Sequence, residues 1–107
     1  MSLFIIEEFK NYKVFLYGSK VNDNAEYAIQ IKIPSGRAYL KFCNGQLKDH
    51  SFKKVGDSYT FHTYYSADKY PAFIDLFRNE KPLYFYYNLE TNATYITTED
   101  EPVGEAE

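Results

Sequence analysis

A chain of 107 residues, 45% hydrophobic, 25% charged and 20% aromatic, has the length of one core rather than two and too much apolar surface to stay disordered. Its net charge is −3, but five acidic and no basic residues lie from Glu99 onward, leaving 12 basic against 10 acidic over residues 1–98. The single cysteine, Cys43, excludes an intrachain disulfide framework and a multi-cysteine zinc site.

The opening MSLFIIEEF carries no basic leader, and no uncharged run nears the ~20 residues of a membrane span. A cytoplasmic location with no membrane partner is therefore expected. From Leu3 to Tyr17, LFIIEEFKNYKVFLY is β-branched and aromatic, giving either one long bent strand or two meeting near Lys10 and Asn11. AEYAIQIKI then alternates cleanly, with Tyr27, Ile29, Ile31 and Ile33 on one face and Glu26, Gln30 and Lys32 on the other. Pro34-Ser35-Gly36 supplies a turn, and in RAYLKF the inward Ala38, Leu40 and Phe42 alternate with Arg37, Tyr39 and Lys41. The two runs read as an antiparallel hairpin.

CNGQLKDHSFKKVGD is polar and loop-like, and SYTFHTYYS returns to strand character. One helix is expected near residues 68–79: Ser66 to Asp68 offer a cap, Pro71 suits the first turn, and Phe73, Ile74, Leu76 and Phe77 make a stripe that Pro82 ends. Two strands follow, Leu83 to Asn88 and Ala93 to Thr98. The fold class is thus mainly β with one helix: a small, partly open antiparallel barrel or a strongly curled sheet packed by that helix. Element order, with the helix late and two strands after it, is similar to that of oligonucleotide-binding barrels, although no family motif is matched. Residues 1–98 form the domain and 99–107 an acidic, mobile tail.

Catalytic patterns are weak. Asp49-His50-Ser51 has the residue types of a hydrolase triad, but consecutive side chains do not converge into a relay. Glu7 and Glu8 point to opposite faces of a strand and so cannot flank one bond. His50, His62 and Cys43 lack metal-ligand spacing, and the dispersed glycines make no phosphate loop. No cofactor, metal or catalytic residue is expected. Asn92-Ala93-Thr94 fits a glycosylation acceptor, which carries meaning only in a secreted chain.

What remains is the outward face of the sheet. Parity turns Tyr84 and Tyr86 outward from LYFYYN, Arg37, Tyr39 and Lys41 outward from RAYLKF, and Lys32 outward from its neighbour. Rings stack on bases while cations track phosphates, so these six residues form the candidate surface for single-stranded DNA or RNA. Lys48, Lys53 and Lys54 would add to it, and the acidic tail would compete with the nucleic acid. The alternative is a protein-interaction or homo-oligomerisation module that uses the aromatic face or the Leu83–Asn88 edge. A cavity around His62 and Tyr64 would instead indicate a catalytic or ligand-binding barrel.

Overall fold

The computed structural model describes residues 3–19 and 24–100. The first aromatic run is two strands, β1 (Phe4–Phe9) and β2 (Tyr12–Leu16), and they join different sheets. The alternating run forms β3 (Ala25–Ile33), which turns through Pro34 and Ser35 into β4 (Gly36–Cys43) in the expected antiparallel register. Next come β5 (Ser51–Val55), β6 (Ser58–Ser66), helix α1 (Tyr70–Asn79), β7 (Leu83–Asn88) and β8 (Thr94–Thr98).

Strand β5 lies inside the stretch read as loop. It is a sheet edge, exposed on most positions, so it lacks the apolar alternation by which half-buried strands are read. Gly56, at φ +62°, and Asp57 turn it back into β6.

The larger sheet has the order β2-β3-β4-β6-β5 and the smaller β1-β7-β8. All pairings are antiparallel except β4 with β6, which is parallel. The reason is topological: residues 44–50 carry the chain from the end of β4 past the position of β6 to β5, and the β5–β6 hairpin then places β6 between them. That correction separates the structure from a purely antiparallel sheet. Gly36 begins the parallel pairing opposite Tyr59, at φ +149°. A Cβ there would overlap the Tyr59 carbonyl oxygen and stand 2.8 Å from its nitrogen, so only glycine allows this approach.

The inner face of the large sheet is covered twice. Phe61 of β6 meets Phe85 and Tyr87 of β7 at ring-centroid distances of 5.2 and 4.7 Å, joining the two sheets. Beside them α1 lays Phe73 on Phe42 (4.9 Å) and Phe77 on Phe9 (5.3 Å), while Tyr70 stacks on Tyr27 at 4.1 Å. Phe42, Phe61, Phe85, Tyr87, Ile29, Ile31 and Leu40 are fully buried, and each large side chain removed from water is worth roughly 1.5–3 kcal/mol.

The sheets do not close into a barrel; the form with one helix packed on open, curled sheets is the one adopted. A 3-10 turn, Ala67–Lys69, leads into α1, and Ser66 makes no side-chain capping bond to it, contrary to the expected cap. Glu99 and Asp100 are exposed beyond β8, and the rest of the acidic tail lies outside the described residues.

Candidate nucleic-acid interface

Because side chains alternate, the face of the large sheet opposite Phe61 and Leu40 carries a second, regular array. Its rows follow from the strand registers. One runs Lys13, Gln30, Tyr39, His62 and Ser51 across all five strands. A second runs Lys32, Arg37, Thr60 and Lys53, and a third Phe15, Ala28, Lys41 and Tyr64. At about 4.8 Å per strand the array spans roughly 19 Å, with rows about 6.7 Å apart.

Four expected residues, Lys32, Arg37, Tyr39 and Lys41, therefore share this surface. Lys32, Arg37, Lys13 and Lys53 are exposed, while Tyr39, Lys41 and His62 are half-buried. Tyr39 and His62 stand in parallel, 5.6 Å apart with a 13° interplanar angle. Lys41 Nζ lies 5.5 Å from the Tyr64 ring and Lys13 Nζ 5.3 Å from the Phe15 ring, so each cation is held over an aromatic face.

Charge is segregated between the sheets. Strands β2 to β6 carry Lys13, Lys32, Arg37, Lys41, Lys53 and Lys54 against one acid, Glu26, whereas β1, β7 and β8 carry Glu7 and Glu8 and no Lys or Arg. The body's mild average charge hides a cationic sheet.

Tyr84 and Tyr86 lie elsewhere. Their outward parity is as expected, with Leu83, Phe85 and Tyr87 buried, but they belong to the smaller sheet and do not join Arg37, Tyr39 and Lys41. Tyr86 stacks on Tyr95 at 4.3 Å and tilts against Phe4 at 5.5 Å. Tyr84 O–H donates to Glu99 Oε1 at 2.8 Å, and that bond raises its pKa. The beginning of the acidic tail is thus engaged on the smaller sheet. Strand β7 is also central, between β1 and β8, rather than an edge.

The remaining polar candidates are accounted for by the fold. Glu7 accepts from Ser35 N–H (2.9 Å) and Ser35 Oγ (2.6 Å), fastening β1 to the β3–β4 turn, while Glu8 is exposed. Nδ1 of His50 accepts from the Tyr64 N–H at 3.1 Å, tying the long 44–50 connection to β6, and burial lowers its pKa. Cys43 is buried with Ala25 and Tyr64. Asn92, at φ +64°, accepts from Tyr87 O–H at 2.7 Å. Among the described residues no group of three or more His, Cys, Asp or Glu could hold a metal, and no helix is long and apolar enough to cross a membrane.

Sequence reasoning missed Lys13, Phe15 and His62 on this surface. The parity of β2 and β6 was readable, but neither strand's neighbours were. The chain matches no family model, no curated protein and no solved structure.

Proposed function

We propose that the protein is a non-catalytic binding module and that the outer face of its five-stranded sheet takes single-stranded nucleic acid. The observation that carries this reading is the segregation of cations onto one sheet, with five of them on the face that also carries Tyr39 and His62. A strand lying across β2 to β5 would place phosphates along Lys32, Arg37 and Lys53. Its bases would rest on the adjacent row, where Tyr39 and His62 offer aromatic surface and Gln30 and Ser51 offer hydrogen bonds. The two rows are separated by one pleat repeat, about 6.7 Å, which suits a backbone and its bases.

Fluorescence anisotropy with labelled oligo-dT and oligo-U tests it. The expected result is binding that weakens with salt, is lost on Lys32→Glu/Arg37→Glu, and survives Tyr84→Phe. Absence of binding at low salt would overturn the reading. A second reading, a protein-interaction module, is favoured by Phe4, Ile6 and Tyr95, which are 45%, 48% and 49% exposed on the smaller sheet. It predicts that substitutions there, and not on the cationic face, alter the behaviour of the protein.

A further inference from the structure

We infer that one end of the cationic array is a seat for the terminal phosphate of a single strand, held by Lys13, Lys32 and Arg37. The inference rests on the nucleic-acid reading above and adds to it which part of the strand this end takes. A surface hollow of about 520 Å³ opens where β2, β3 and β4 run side by side, lined by Asn11, Tyr12, Lys13, Gln30, Lys32 and Arg37. Among the described residues, three cations and two side-chain amides line it and no acid does.

The registers say how close these groups stand. Lys32 and Arg37 are direct cross-strand partners, which sets their Cβ atoms about 4.5–5.5 Å apart. Lys13 is the partner of Gln30, so it lies diagonal to Lys32, about 7–8 Å away and within reach of a long side chain. Like charges directly opposite each other destabilise a sheet, and the one acid of β2 to β6, Glu26, is near the other end of β3. The grouping of charge is therefore a cost to the fold that an arriving anion offsets. Lys32 also borders the adjoining hollow of Glu7, Glu8 and Lys10; there Glu7 is fastened to Ser35, and Lys10 stands with Glu8. Lys13 Nζ rests over the Phe15 ring, a contact weak enough at an exposed site for the ammonium to turn toward an anion.

Three grouped cations suit an oxyanion of more than one charge. An internal phosphodiester carries one negative charge, whereas a terminal phosphate monoester carries about −1.5 to −2 at pH 7 and three acceptor oxygens. The Arg37 guanidinium offers a planar fork for two of those oxygens, and Lys13 and Lys32 supply point charges beside the third. The hollow also lies at the β2 end of the phosphate row. From Lys32 and Arg37 that row continues through Thr60 to Lys53, so charge is concentrated at one end. A strand seated there by its terminal phosphate would lay its first base on Tyr39, in the row next to Arg37, and run on toward β5.

The test is competition against labelled oligo-dT, followed by fluorescence anisotropy on the full chain at low salt. Three unlabelled oligo-dT strands of one short length are compared: 5′-phosphorylated, 3′-phosphorylated and unphosphorylated. Phosphate on one of the two ends should tighten binding about tenfold, because the array runs in one direction. Lys13→Gln/Arg37→Gln should abolish that advantage, whereas Lys53→Gln, at the far end of the row, should weaken all three strands alike and keep it. These side chains are exposed, and circular dichroism melting checks that the variants fold; the comparison of strands on the unaltered protein needs no variant. Equal competition by the three strands would overturn the inference and leave the nucleic-acid reading standing. So would an advantage shared equally by both ends, which marks added charge rather than a seat, or one that survives Lys13→Gln/Arg37→Gln. Binding by none of the strands would remove the nucleic-acid reading itself, and this inference with it.

Discussion

The salt dependence of oligonucleotide binding is the most quantitative consequence of the cationic face. Each phosphate neutralised on a single strand contributes about −0.7 to the slope of log affinity against log salt. Five cations stand on the outer array, Lys13, Lys32, Arg37, Lys41 and Lys53, so full engagement predicts a slope of about −3.5. Between about 50 and about 200 mM salt the affinity should then fall roughly 100-fold. Replacing Lys32, Arg37 and Lys53 by Gln leaves two cations and a slope of about −1.4, a loss of only about sevenfold over the same range. These three side chains are exposed, so the melting temperature should barely move. Tyr39→Ala should behave differently: losing a stacking ring costs ~1–3 kcal/mol at every salt concentration and leaves the slope alone. Anisotropy titrations at four salt concentrations separate the two effects. A triple variant with the wild-type slope would refute the phosphate row, and a Tyr39 variant with wild-type affinity would refute the stacking row.

Gly36→Ala should lower stability by at least ~2 kcal/mol, because its Cβ meets the Tyr59 backbone and overpacking costs about 1–3 kcal/mol before any lost hydrogen bond is counted. Calorimetry should show a Tm lower by about 10 °C or more, while Gly18→Ala, whose Cβ meets open space, serves as control; an unchanged Gly36→Ala Tm would contradict the close approach. Glu7→Ala removes both bonds to Ser35 and should cost ~2 kcal/mol, visible as a lower urea midpoint. The His50 pKa lies below its ordinary 6.5 through burial, against the opposing pull of Asp49. The unfolded chain thus binds more protons below pH 6.5. The contribution of His50 is complete above that pH and is lost as pH falls through the lowered value. His50→Asn, which keeps an acceptor for Tyr64 N–H, should flatten this part of the stability profile, and an identical profile in the variant would rule out the linkage.

Local periodicity carried much of this protein. AEYAIQIKI and RAYLKF announce which side chains turn inward because a strand's period of two is a property of the chain itself, and the same parity correctly buries Phe85 and Tyr87 while turning the half-buried Tyr84 and Tyr86 outward. Phe73 and Phe77, spaced for one helical face and ended by Pro82, likewise define α1. None of this says which strands become neighbours. That β1 and β2 part into different sheets, that β6 inserts parallel to β4, and that β5 forms in a polar stretch all depend on contacts between residues distant in the chain. The candidate site was divided by the same decision. Lys32, Arg37, Tyr39 and Lys41 lie on paired strands and were brought together by local hairpin geometry. Tyr84 and Tyr86 have the right parity on another sheet, because parity fixes only the side of a strand and the packing of Phe61 against Phe85 and Tyr87 determines which way that side faces.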